Sequence, residues 1–189
     1  MARLDPMNAA NQSDSTPEAS PAQLSHLAGT GSGRHAAMVD VGHKAESARS
    51  ATARARIRFP EGLLAQALAE AGPKGPIEEV ARIAGILGAK RTSDLIPMCH
   101  GLSLDHVALQ FEALSEDLLE VRCQATCRAA TGVEMEAMCG ASIAALTVYD
   151  MVKGLSHAIR IEGVELIEKR GGKSGTWRAQ GANVAEVGD

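Results

Sequence analysis

Aromatic side chains are nearly missing from this chain: among 189 residues only Phe59, Phe111, Tyr149 and Trp177 carry a six-membered ring system of that kind. Its core must therefore be aliphatic and alanine-rich, with close approach of backbones replacing large side-chain plugs. So few rings also exclude a stacking platform for single-stranded nucleic acid. A net charge of −4 gives no general attraction to nucleic acid or to an anionic membrane, so any polyanion must be held by a local basic cluster. No uncharged run reaches the ~18 residues that a membrane span needs. The most apolar of them, Ala137 to Tyr149, is thirteen residues between Glu136 and Asp150. The four cysteines, Cys99, Cys123, Cys127 and Cys139, form no Cys-x-x-Cys and precede no His pair. That removes the usual zinc spacings and leaves buried free thiols as the expectation. No basic start followed by an apolar core marks a secretory signal. The expected compartment is the cytoplasm.

What is present divides into three parts. Residues 1–33 are rich in Ala, Ser, Pro, Gln and Gly without an apolar period, the composition of a disordered tail. Residues 34–180 carry the patterning of one domain, and 181–189 form a short C-terminal tail. Ala51 to Phe59 alternates, with Ala53, Ala55, Ile57 and Phe59 opposite Arg54, Arg56 and Arg58, and predicts a strand. Its arginine face suits a solubilising edge or, less readily, a phosphate site. A helix is predicted from Glu61 to Ala71 before the breaker Gly72-Pro-Lys-Gly-Pro76. A second runs from Ile77 to Lys90, with Val80, Ile83, Ala84 and Leu87 assigned to its buried face. Strands follow at Leu102–Ala113 and Leu118–Arg128, joined through Ser115-Glu-Asp117 as a hairpin. Then comes a long buried helix ending near His157, a strand at Ile159–Lys169 and a short segment around Trp177. Strand, helices, strand, strand, helix, strand is the order of an α+β ferredoxin-like β-α-β-β-α-β sandwich, with helices on one face of an antiparallel sheet.

The uncharged helix is the most informative element. A surface helix would be polar on one side of each turn, whereas Ala137, Gly140, Ala141, Ala144 and Ala145 predict burial against other backbone. It ends by delivering Asp150 and Lys153 one turn apart. Such a pair suits a helix-surface ion pair as well as an acid and base for chemistry. Gly171-Gly-Lys-Ser-Gly175 resembles a phosphate loop only in part: Ile167 stands where the required first glycine should be, and no helix follows. The segment remains either an anion-contacting turn or a turn alone. Pro97 leaves Met98, Cys99 and His100 on a loop after the second helix, where binding residues often collect.

Several blocks, in order, resemble the cyclic pyranopterin monophosphate synthase family, molybdenum cofactor biosynthesis protein C. They are Met38-Val-Asp-Val41, Ala81-Arg-Ile-Ala-Gly-Ile86, Ala89-Lys-Arg-Thr92, Asp94-Leu-Ile-Pro-Met-Cys-His100, Thr131-Gly-Val-Glu-Met-Glu-Ala137 and Ala144-Ala-Leu-Thr-Val-Tyr-Asp-Met151. The likeness spans about residues 38–178. Three departures from the family pattern stand out: Gly101 in place of Pro, Pro76 in place of Asp, and Ala129-Ala130 in place of Gly followed by Lys or Arg.

The resemblance implies a reaction: 3′,8-cyclised 7,8-dihydro-GTP is rearranged to cyclic pyranopterin monophosphate and pyrophosphate is released. It implies Asp150, Lys153 and Lys74 as catalytic residues. Met98, Cys99, His100, Glu134, Met135, Glu136 and Lys169 are implied as substrate contacts. It implies a homohexamer, a trimer of dimers, with sites at subunit interfaces, and no nucleic-acid or membrane partner. No resident metal or cofactor is expected, a divalent ion entering only as a companion of the triphosphate. Carboxylate and amine can exchange protons with ring nitrogens if burial draws their pKa values toward neutrality. Lys173 and Arg49 join Lys74 and Lys169 as cations for the phosphates. Two alternatives of other classes remain: a non-catalytic paralogue that binds a pterin or nucleotide as a partner subunit, and a structural oligomer without a small-molecule site.

Overall fold

The computed structural model describes residues 27–28, 33, 35–69 and 75–181. The chain divides into two units, residues 1–37 and 38–189. In the first, strands β1 (Leu27–Ala28) and β2 (His35–Ala36) pair antiparallel. Most of the expected tails lie outside the described residues.

The second unit contains β3 (Ser47–Arg58), α1 (Leu63–Ala69), α2 (Ile77–Lys90) and α3 (Thr92–Leu95), followed by β4 (His106–Ser115) and β5 (Leu118–Ala129). Helix α4 (Glu134–Val152) and strands β6 (Arg160–Arg170) and β7 (Trp177–Arg178) complete it. The sheet runs β4-β5-β3-β6-β7 with every pairing antiparallel. The four long strands keep the ferredoxin-like order, and α3 and β7 are additions to it. The fold class is the expected α+β sandwich.

Strand β3 lies at the centre because its alternation serves two faces. Ala51, Ala53, Ala55 and Ile57 are fully covered beneath the helices, and their small size lets α4 lie close to the sheet. The arginines do not line an edge, as the pattern alone suggested, because β5 and β6 flank β3 on both sides. They lie on the outer face, and each meets acids brought by the neighbouring strands. Arg54 Nε reaches Glu165 Oε1 at 2.8 Å and Arg56 Nε reaches Glu120 Oε2 at 2.9 Å. Arg58 pairs with Asp117 at 2.9 Å and Glu162 at 3.0 Å. Glu120 is almost wholly covered, with Arg54, Arg56 and Arg122 all within ion-pair distance. A carboxylate so covered needs such partners, since an unpaired buried charge is strongly destabilising.

The α2 face also differs from expectation. Its buried residues are Ile77, Ala81, Gly85, Gly88 and Ala89, whereas Ile83 is 67% exposed and Leu87 is 48% exposed. Glycine and alanine win the inward face because α2 packs directly on α4, where a larger side chain would hold the backbones apart. A Cβ on Gly88 would stand 2.7 Å from Ile143 Cγ1. Ile83 and Leu87 are left as an outward apolar pair.

Helix α4 buries Ala137, Gly140, Ala141, Ala144 and Ala145 as expected. By length and composition it could cross a membrane, but these residues and Val148 are covered by protein. It ends at Val152 rather than near His157. The Lys153 amide still donates to Tyr149 O at 2.8 Å, and Leu155 N then turns to Val152 O at 2.8 Å. Gly154, a poor helix former, stands at the break.

Candidate active site

Side chains alternate along a strand, so Arg49 follows Ala51 and Ala53 onto the helix-covered face of the sheet. The register sets Cys127 opposite Arg49 and Lys169 opposite Ala51. One corner of the sheet thus gathers two cations under the first turn of α4. Lys169 Nζ meets Glu134 Oε1 at 3.3 Å and donates to Ser174 Oγ at 3.2 Å. Glu134 folds back over Gly132, where a Cβ would collide with its carboxylate. A side chain at position 132 would therefore displace Glu134.

Glu136 lies two residues further along α4 and is 4% exposed. Burial pushes its pKa up; a bond to its own backbone amide opposes this, and the neighbouring charge of Glu134 adds to the rise. The Cys99 thiol is pushed up as well, by burial first and then by Glu136 and Cys139. That influence on Cys99 fits a Met98–His100 loop lying beside α4. The loop is shaped by a chain of backbone bonds after α3: Ile96 N to Thr92 O at 2.9 Å, then Cys99 N to Ile96 O at 3.0 Å. Met98, Cys99 and His100 are all half-buried. The structure brings these residues, with Glu134, Met135, Glu136 and Lys169, to the N-terminal end of α4.

Asp150 and Lys153 stand elsewhere. Fourteen residues of helix separate Glu136 from Asp150, about 21 Å at 1.5 Å per residue. Lys153 Nζ donates to Asp150 Oδ1 at 2.6 Å, and both side chains are half exposed. The expected drift toward neutrality is not found at Lys153. Its hydrogen bond to Asp150, then the charge of Asp150, raise its pKa, and solvent on the open side leaves little burial to oppose them. Lys74 lies outside the described residues. Among the described residues no three His, Cys, Asp or Glu side chains gather as metal ligands.

The MoaC family profile matches residues 38–172. The chain belongs to the MoaC family. It is 46% identical over 159 residues to a protein of Chloroflexus aggregans, covering 84% of this chain and 94% of that one. A Xanthomonas oryzae pv. oryzae protein is 48% identical over 161 residues, covering 84% and 96%. One from Novosphingobium aromaticivorans is 49% identical over 156 residues, covering 82% and 97%. All three bear the name cyclic pyranopterin monophosphate synthase.

The MoaC match takes in both ends of α4, and the structure adds a feature that motif reading saw only in part. A cleft of about 700 Å³ opens beside the Lys169 corner, lined among others by His43, Lys44, Arg49, Thr131, Lys173 and Ser174. Lys173 and Ser174 entered the sequence reading within the glycine-rich turn 171–175 and Arg49 only through the chemistry of the phosphates, whereas His43 and Lys44 did not enter it. Extending the alternation of β3 backward past Ala51 would have placed Arg49 inward. No comparable signal marks His43 and Lys44, which precede the strand. Lys44 and Lys173 have no ion-pair partner among the described residues. The cleft is therefore a local concentration of positive charge on a chain of net −4.

Proposed function

We propose that this chain is a cyclic pyranopterin monophosphate synthase. It converts 3′,8-cyclised 7,8-dihydro-GTP to cyclic pyranopterin monophosphate and pyrophosphate, an early step of molybdenum cofactor biosynthesis. The observation that carries this reading is the match to synthases at 46–49% identity over 82–84% of this chain.

The chemistry divides between the two ends of α4. The reaction is an isomerisation joined to loss of pyrophosphate, so it needs proton transfers and charge neutralisation but no electron donor. Asp150 and Lys153, already hydrogen-bonded, are the acid–base pair, and Lys74 joins them as a catalytic cation. Glu134 and Glu136 accept from the amino groups of the guanine-derived ring, with Met98, Cys99, His100 and Met135 around it. Lys169 and the cleft cations face the phosphates as a hydroxyl attacks the α-phosphorus and pyrophosphate leaves. A divalent ion, if one takes part, travels with the triphosphate.

Two ends about 21 Å apart cannot serve one small molecule within a single protomer. The site is therefore shared between copies: one copy supplies residues 98–100, 134–136 and 169, and another supplies Asp150 and Lys153. The outward apolar residues Ile83, Leu87 and Leu146 support such association, since exposed apolar groups of this size favour cover. A second copy over the α4 C-terminus would also dry the Asp150–Lys153 pair and supply the burial it lacks alone. The assembly we infer is a hexamer, a trimer of dimers, in the cytoplasm, where free thiols persist.

The test is pyrophosphate release by purified protein given the cyclised dihydro-GTP. Stoichiometric release with formation of the tricyclic pterin phosphate is the expected result. Binding without release would instead make the chain a non-catalytic partner subunit.

A further inference from the structure

Of the four arginines on β3, three have carboxylate partners and one does not. Arg54, Arg56 and Arg58 are each matched to acids on the outer face. Arg49 has turned to the other face, where Nε donates to Ala129 O at 3.2 Å and Nη2 to Ala130 O at 3.3 Å. These carbonyls belong to the last residue of β5 and the first of its link to α4, two to three residues before the Gly132 on which Glu134 rests. The opposite edge of the guanidinium faces the glycine turn after β6. A Cβ on Gly172 would collide with Arg49 Nη1, and one on Gly171 would stand 3.4 Å from Arg49 Cδ. Both glycines have positive φ, 99° and 73°, so the turn is bent to pass close over the arginine.

A guanidinium carries five N–H donors in a rigid plane. Two are used on the link, and no carboxylate lies within ion-pair distance of Arg49 among the described residues. The remaining edge lines the cleft with Lys44 and Lys173. The cleft needs an anion, and Arg49 is the one of these cations that also grips the segment leading to Glu134 and Glu136. Ala129-Ala130 contribute no side-chain cation here, so the link is held through its carbonyls.

We propose that Arg49 is a positioning residue: a phosphate chain in the cleft engages one edge of its guanidinium, and the other edge thereby fixes the link that places Glu134 and Glu136. This rests on the proposed function for the identity of the phosphate chain, but the coupling itself does not require turnover. Occupancy of the cleft then orders the ring-binding acids before the phosphate chain is lost. A lysine at position 49 would keep the charge but could not hold two carbonyls and an anion from opposite edges of one plane.

The experiment uses hydrogen–deuterium exchange on the assembled full-length protein, with inorganic tripolyphosphate as probe and its affinity measured by calorimetry. In the wild type, tripolyphosphate is expected to slow exchange both at residues 171–175 and at residues 129–134. Arg49→Lys should bind the probe within about threefold of wild type, as its charge is kept, and protect 171–175 but not 129–134. Lys173→Gln should weaken binding about tenfold, the worth of a charge-assisted contact, and lower both protections together, in proportion to its occupancy at the same probe concentration. With substrate, Arg49→Lys should lower kcat with little change in KM, and Lys173→Gln should raise KM. Unchanged exchange at 129–134 in probe-saturated wild type overturns the proposal, as does full protection there in Arg49→Lys. Should Arg49→Lys fail to assemble, the wild-type exchange pattern decides alone. A wild type that shows the coupled protection but no pyrophosphate release would refute the enzyme reading and leave the coupling standing.

Discussion

Gly85 and Gly140 face each other where α2 crosses α4: a Cβ on Gly85 would stand 3.0 Å from the Gly140 carbonyl oxygen and 3.1 Å from Ala144 Cβ. Backbone cannot retreat as a side-chain tip can, so the crossing requires glycine at 85. Gly85→Ala is expected to destabilise the protein by about 1–3 kcal/mol, the range for overpacking a dense core. At Gly140 the obstruction is instead the Cys123 sulfur. Gly140→Ala should cost a similar amount, and Cys123→Ala should restore part of it while leaving Gly85→Ala unaffected. Urea denaturation of the single and double variants measures this; an additive pair at 123 and 140 would contradict the stated contact.

That crossing also marks where sequence reading succeeded and where it failed. The alternation of β3 and β5 and the small residues of α4 were legible because each obeys a local period. The inward face of α2 was not, because apolar moment favours Ile83 and Leu87 while the neighbouring helix admits only Ala81, Gly85 and Gly88. Arg54, Arg56 and Arg58 looked like an edge because their partners Glu120, Glu162 and Glu165 are distant in sequence. The Lys169 corner was reachable through family blocks, but its pairing with Glu134 and Ser174 depends on register between β3 and β6. The separation of Asp150 from Glu136 could be counted along the helix directly, and it is that length on which the proposed division into two half-sites rests.

Glu136 should carry a measurable stability cost. Burial is the main reason its pKa is raised, so the folded state keeps its proton to higher pH than the unfolded state. Stability from this group is then greatest below the ordinary glutamate range and is lost as pH rises through the interval up to the raised value. Glu136→Gln cannot ionise and should escape that loss. Its advantage over wild type in denaturation midpoint should be smallest near pH 4 and grow toward pH 8. A constant offset across that range would remove the burial argument. Activity should fall in the same variant, a trade of stability for function.

Thiol reactivity should follow burial. The Cys123 thiol is pushed up to about 12, by burial first and then by Cys139, which leaves a thiolate fraction of about 10⁻⁴ at pH 8. Iodoacetamide on native protein is expected to spare Cys123 for hours and to label Cys99, the half-buried thiol of the loop, before the three buried ones. Substrate should slow labelling of Cys99 if the loop lies in the site. Equal rates at Cys99 and Cys123, read by peptide mass spectrometry, would contradict the packing of α4 on β5.

The proposed sharing of a site between copies has a consequence that neither end of α4 alone could produce. Asp150→Asn should remove the acid–base half and leave the Lys169 half intact, while Lys169→Ala should do the reverse. Each variant alone is expected to lose about 10²–10⁴ in kcat, the usual worth of a positioned acid or base or of a cation at a developing charge. Unfolded together and refolded as mixed assemblies, the two should regain activity. If each site draws one half from each of two copies chosen at random, about a quarter of the sites combine two intact halves, and activity should approach a quarter of wild type. A site complete within one chain would give no recovery at all, because every chain in the mixture carries one lesion. Size-exclusion chromatography of the same mixtures separates this outcome from failure to assemble, so an assembled but inactive mixture would refute the shared site.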